Sequence, residues 1–139
     1  MKAYERNETQ LALNSLAADI SLWAEAKGFW KTPEYFDSLP DFEGQEKVWA
    51  QYILLKKSEK IALMHSELSE LLEGLRNAHG EPLATKEGGG MFSSEEEELA
   101  DLIIRALDYA GHYSLRIGEA IAAKMAKNEG RPHMHGKAF

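Results

Sequence analysis

Two short stretches place carboxylates at helical spacing. His65-Ser66-Glu67-Leu68-Ser69-Glu70 sets Glu67 and Glu70 three residues apart, and Glu98-Leu99-Ala100-Asp101 repeats that spacing. Residues at i and i+3 share a helix face, so each stretch offers two carboxylates pointing one way. Two such helices packed antiparallel would gather four carboxylates. A cluster of that kind repels itself and is costly to desolvate unless a cation sits within it. Its oxygens are hard ligands, suited to Mg²⁺, Mn²⁺ or Ca²⁺ rather than zinc or copper. The plainer alternative is solvated surface charge, because Glu is a good helix former and such pairs are frequent on exposed faces. Either pair alone favours that alternative. Their joint occurrence on helices that are otherwise apolar weighs toward the cluster.

Helices must position these residues. The first periodic segment runs from about Asn7 to Lys27, with Leu13, Leu16, Ala17, Ile20, Trp23 and Ala24 on one stripe and Gly28 as its C-terminal stop. A long helical stretch from about Gln45 to Asn77 has no Pro, and no Gly before Gly74. Periodicity leaves open a break near Lys56-Lys57-Ser58. Ile61, Met64, Leu68, Leu71, Leu72 and Leu75 form its apolar stripe. At roughly 100° per residue, Glu67 lies about 60° and Glu70 about 120° from that stripe. Both therefore flank the expected core face, the placement that metal ligands in a helix bundle need. Glu73 continues the series outward.

Ser93-Ser94-Glu95-Glu96-Glu97-Glu98 starts the next helix. Ser93 with Glu96, or Ser94 with Glu97, makes a capping box, and the acidic run suits the positive end of the helix dipole. Beyond it, Glu98, Asp101, Arg105, Asp108 and His112 form a polar stripe opposite Leu99, Ile103, Ala106, Leu107 and Ala110. That polar face is either solvated and salt-bridged, or a site wall in which Arg105 orients the carboxylates. Gly111 and Gly118 bracket the change to a last helix, roughly Gly118 to Asn128, with Ile121 and Met125 inward. Ala78 to Phe92 is a connection. Its Gly88-Gly89-Gly90 is not a phosphate-binding loop, since no Gly-Lys-Ser/Thr follows.

Two segments could serve a bound molecule. Phe29-Trp30-Lys31-Thr32-Pro33-Glu34-Tyr35-Phe36 joins the first two helices and is rich in aromatics. These rings either plug the connection onto the core or, with Trp23, wall a pocket for a flat ring such as a nucleobase. The tail gathers Lys124, Lys127, Arg131, Lys137, His133 and His135 in an otherwise acidic chain. That is either charge favoured near a helix C-terminus or an anion-binding edge.

Composition sets the frame. The chain has 139 residues, enough for one domain spanning 1–139. A net charge of −7 argues against nucleic-acid polymers and anionic membrane as partners. There is no Cys, which excludes disulfides and Cys-based zinc sites and fits a cytoplasmic setting. No apolar run approaches the roughly 20 residues of a membrane span, and Met1–Arg6 lacks the apolar core of a signal peptide. No strand signal and no repeat stands out. The expected fold is all-α, a bundle of about four to five helices.

In order and spacing, Ser66-Glu67-x-x-Glu70, Glu98-x-x-Asp101 and Lys124-x-x-x-Asn128-x-x-Arg131-Pro132 resemble the MazG-like all-α nucleoside triphosphate pyrophosphohydrolases. The likeness covers about residues 20 to 139, including Lys27-Gly28-Phe29-Trp30 and His135-Gly136-Lys137. It implies a MazG-like fold and Mg²⁺-dependent hydrolysis of (deoxy)nucleoside triphosphates to the monophosphate and pyrophosphate, by a homodimer or homotetramer. Glu67, Glu70, Glu98 and Asp101 would then hold Mg²⁺, or Mn²⁺ in its place. Glu67, Glu70 and Lys124 would take part in catalysis. Lys124, Asn128 and Arg131 would face the phosphates, and Trp23 or Trp30 would stack on the base. One position departs: Ser66 stands where the family pattern E-E-x-x-E has its first Glu. That departure sustains the alternative of a non-catalytic helical dimer that binds nucleotide or a partner on the same scaffold. A di-iron carboxylate bundle fits less well, because neither Glu67 nor Glu98 is followed three residues on by His.

Overall fold

The computed structural model describes residues 3–37, 42–79 and 91–132. The triple glycine, His133, His135 and Lys137 lie outside the described residues. Among the described residues five helices follow one another: α1 (Ala3–Ala26), α2 (Glu34–Asp37), α3 (Gln45–Asn77), α4 (Ser94–His112) and α5 (Ile117–Glu129). The described residues contain no strand, so they are all-α. No described helix is long and apolar enough to cross a membrane.

Local chemistry sets the helix limits. Gly28 ends α1 in the left-handed region at φ 84°, where a side chain would be strained. Gly44, at φ 92°, precedes the first residue of α3. From there α3 runs 33 residues, about 50 Å at 1.5 Å per residue. It passes unbroken through Lys56-Lys57-Ser58, where the Ser58 hydroxyl donates to the Leu54 carbonyl at 2.9 Å and so leaves the helical ladder intact. At the start of α4, Ser93 supplies the capping box. Its N–H and its hydroxyl each donate to Glu96 Oε2 at 2.7 Å, and the Glu96 N–H returns a bond to Ser93 Oγ. The Ser93 N–H, followed by its hydroxyl, holds the Glu96 carboxyl below its ordinary pKa. The cap therefore contributes fully above the normal carboxylate range and weakens as pH falls through the lowered value.

The chain forms two compact units, Met1–Lys27 with Leu107–Phe139, and Gly28–Ala106, with α4 contributing to both. In the first, Ala17, Leu107 and Ala110 make a small core with Ile20 and Ile117 packed on it. Small residues allow this. A Cβ on Gly111 would meet the Ala17 backbone, with the carbonyl carbon at 2.7 Å, and a Cβ on Gly118 would lie 2.7 Å from Gln10 Cα. Asn14 on α1 fastens the start of α5. It accepts the Gly118 N–H at 2.9 Å and donates to Glu119 at 2.7 Å. That Asn14 bond, helped by Glu119's own N–H and Arg116, holds the Glu119 carboxyl below its ordinary pKa.

In the second unit, Phe36 of α2 lies against Trp49 and Tyr52 of α3, with ring centroids 4.9 and 4.7 Å apart. Of the aromatics in the α1–α2 connection, Phe36 thus serves as a plug, whereas Phe29 is exposed. The apolar stripes behave differently from expectation. Ile61, Leu68, Leu72 and Leu75 of α3 are exposed, as are Leu99 and Ile103 of α4. Ile121 and Met125 of α5 also face solvent rather than inward, Met125 being 56% exposed. The least accessible line of α3 runs instead through Lys60, Met64, Glu67, Leu71 and Gly74, one residue earlier along most of the stripe. On α4 within this unit it runs through Glu98, Leu102 and Arg105. The inward faces are thus turned toward the charged residues, and the leucine rows lie outside.

Gly111→Ala should lower stability despite its better helix propensity. The propensity gain is about 1 kcal/mol, and the close backbone contact should cost more, leaving a net loss of about 1–2 kcal/mol. Urea unfolding of the two proteins checks the sign.

Candidate metal centre

The site lies within the second unit, where α3 supplies Glu67 and α4 supplies Glu98, Asp101 and Arg105. On α4 these three occupy positions i, i+3 and i+7, one face of the helix. Glu67 is 5% exposed and Glu98 4%, while Asp101 is open to solvent. One carboxylate oxygen from each of the three lies within 4.8 Å of the others. Arg105 joins the group through its Nε, which donates to Glu67 Oε1 at 2.5 Å. Three carboxylates therefore share their neighbourhood with this guanidinium.

Of the four carboxylates expected to converge, these are three. Glu70 is exposed, stands outside the group, and accepts a 3.4 Å hydrogen bond from the Ser66 hydroxyl. The separation follows from the helix: three residues turn Glu70 about 60° away from Glu67, and Glu67 takes the inward position. Ser66, where the family pattern carries a carboxylate, is exposed and serves this local bond.

The remaining expected residues are placed as follows. Lys124 and Asn128 are exposed on α5, and Arg131 follows it, its N–H donating to the Asn128 carbonyl at 3.0 Å. Trp23 is exposed on α1. These four belong to the first unit. Trp30 belongs to the second, and the Lys60 ammonium lies 4.0 Å from the centre of its ring. Lys60 also donates to the Phe29 carbonyl at 3.2 Å and is itself buried. A cation on the ring is worth roughly 0.5–2 kcal/mol, and here it occupies one face of the indole. Lys60 was not among the expected site residues. Its signal in the sequence is position: it precedes Glu67 by seven residues, two turns along the same face.

The donor set suits a divalent cation. All three ligand groups are hard oxygens. Oxygens around one Mg²⁺, at about 2.1 Å each, are separated by up to about 4.2 Å, so the cluster is close to the span of a single ion. Glu67, Glu98 and Asp101 could hold such an ion, with Arg105 setting the orientation of Glu67. Neither a protein-family model, nor a curated protein, nor a solved structure matches the chain.

Glu98→Gln preserves shape and removes one of the clustered charges. Without divalent ions the variant should unfold at or above the wild-type temperature, because repulsion and desolvation are relieved. Mn²⁺ should raise the midpoint of the wild type and leave the variant unmoved, since only binding to the folded state stabilises it. Thermal melts with and without Mn²⁺ measure both.

Proposed function

We propose that the chain is a MazG-like pyrophosphohydrolase, hydrolysing (deoxy)nucleoside triphosphates to the monophosphate and pyrophosphate with Mg²⁺ as cofactor. The observation that carries this reading is the convergence of Glu67 and Glu98, both buried and on different helices, with Asp101 within 4.8 Å. It is joined by the order and spacing of the motifs in the sequence. A triphosphate carries about four negative charges, so a carboxylate site accepts it only through a bridging cation. Bound Mg²⁺ would neutralise phosphate oxygens and acidify water at the site.

In this reading Glu67, Glu98 and Asp101 hold the ion, and Arg105 keeps Glu67 turned toward it. Water adds to the α-phosphorus, the bond from that phosphorus to the bridging oxygen breaks, and pyrophosphate leaves with the bond's electrons. On the resemblance, Glu70, although it stands outside the carboxylate group, is the residue that takes the proton from the attacking water. The phosphate-facing roles of Lys124, Asn128 and Arg131, and base stacking on Trp23 or Trp30, rest on the resemblance alone. Ser66 favours a second reading, a non-catalytic nucleotide- or partner-binding dimer on this scaffold. It leaves one carboxylate fewer for a second ion or a base.

The working form is a homo-oligomer. Leu54 of α3 is 65% exposed, and Ile61, Leu68, Leu72 and Leu75 continue its row, with Leu55, 69% exposed, about 100° round the helix from it. An apolar row of that length is the feature of a surface that another chain covers, and a second copy is the commonest such partner.

Pyrophosphate release from a panel of NTPs and dNTPs should require Mg²⁺. Asp101→Ala should abolish both turnover and the Mn²⁺-induced thermal shift, whereas Glu70→Ala should lose turnover and keep the shift. Absence of release from every triphosphate, with a nucleotide-induced shift still present, would establish the binding-protein reading instead.

Sedimentation velocity of the wild type should show a dimer or larger species. The double variant Leu54→Glu, Leu55→Glu should move it toward monomer with helicity retained. A wild-type monomer at micromolar concentration would refute the assembly.

A further inference from the structure

The geometry points to Arg105 as a phosphate-binding residue: Glu67 anchors its guanidinium through Nε, and its two terminal amino groups take the phosphate oxygens of the bound nucleotide. The inference rests on the metal-nucleotide reading of the carboxylate group and adds to it a residue that the sequence motifs did not assign to substrate.

Three observations carry it. First, the contact to Glu67 uses Nε alone. A guanidinium has five N–H donors in a planar fork, and one is committed here. Among the described residues Arg105 forms no hydrogen bond or ion pair with any residue other than Glu67. Four donors are therefore left to a ligand or to water. Second, the anchor is stiff on one side and open on the other. The Glu67 side chain is 6% exposed, and that of Arg105 is 36% exposed. The guanidinium is thus held at a buried carboxylate while the Arg105 side chain as a whole keeps access to solvent. Third, Arg105 lies on the same face of α4 as Glu98 and Asp101, and its anchor Glu67 is itself one of the three clustered carboxylates. An oxyanion bridging to a cation held by that cluster would lie beside the fork.

The chemistry favours an oxyanion over bare solvent, and the metal-nucleotide reading makes that oxyanion a phosphate. Phosphate oxygens match the guanidinium fork in two-point geometry. An arginine already held by a buried carboxylate loses little further freedom on binding, which removes part of the ordering cost. A lysine in its place would present a single ammonium and could not hold Glu67 and grip two phosphate oxygens at once.

The test measures binding of Mn²⁺ alone, and of inorganic tripolyphosphate with and without Mn²⁺, by calorimetry. The wild type, Arg105→Ala and Arg105→Lys are compared, with circular dichroism confirming the fold of each. Arg105→Ala should lose tripolyphosphate affinity roughly ten- to a hundredfold, the range expected for charged hydrogen bonds, well beyond whatever Mn²⁺ affinity it loses through the freed Glu67. Arg105→Lys, which keeps the charge and is the safer variant for folding, should recover only part of that loss. Equal tripolyphosphate affinity in all three proteins would overturn the inference while leaving a metal-binding wild type, and with it the proposed function, intact. Loss of Mn²⁺ binding together with tripolyphosphate would also overturn it, reducing Arg105 to a residue that merely positions Glu67. Should the wild type bind tripolyphosphate but no Mn²⁺, and Arg105→Ala lose it, the phosphate role would stand and the metal reading would fail. A wild type that binds neither would overturn both.

Discussion

A buried carboxylate held by a single guanidinium donor organises the second unit. Taking an ionised group out of water costs several kcal/mol even after relaxation. Leaving a leucine in solvent forfeits roughly 1.5–3 kcal/mol of burial. The unit accepts both penalties, with Glu67 and Glu98 inside and Leu54, Leu55, Leu68 and Leu72 outside. A lone chain optimised only for stability would turn α3 the other way. The observed orientation makes sense if something compensates on each face: a cation among the carboxylates, and a second copy over the leucines. The two proposals thus answer the same energetic imbalance from opposite sides of one helix.

The first unit is built on a different constraint, close backbone approach. Ala17, Gly111 and Gly118 leave no room for larger groups where α1 meets the end of α4 and the start of α5. Asn14 then satisfies a backbone donor at the start of α5, a group that would otherwise lack a helical partner. This unit is tightly specified by small residues and a single polar fastening. The second relies on long side chains whose positions depend on charge.

That contrast bears on how the proposed reaction would be arranged. Ligands borne on helices are held more precisely than ligands on loops, and Glu67, Glu98, Asp101 and Arg105 all come from α3 and α4. Lys60, buried against Trp30 and bonded to the Phe29 carbonyl, fastens the chain that enters α2 onto the same face of α3 that bears Glu67. A residue outside the reacting group thereby helps to define the surface on which that group is built.

The helices themselves were legible in the sequence because their signals are local. The absence of Pro and Gly across Gln45–Asn77, the Ser93–Glu96 box and Gly28 act within a turn or two, and each lies where the structure uses it. The i, i+3 spacing of the carboxylates was equally local, and it picked out Glu67, Glu70, Glu98 and Asp101, three of which converge. Which face turns inward was legible on α1, where Ala17, Ile20 and Ala24 turn in, and at Leu107 and Ala110 of α4, but not on α3. Hydrophobic periodicity identifies an apolar stripe but not what covers it, and here the leucine stripes are exposed in the single chain while Glu67 and Lys60 are buried. Tertiary structure alone decided that Glu70 stands apart from the other three carboxylates and that Arg105 meets Glu67. Lys60 lying on Trp30 was decided in the same way. These contacts join residues dozens of positions apart, and the free energy of a buried charge depends on its neighbours in space rather than in sequence.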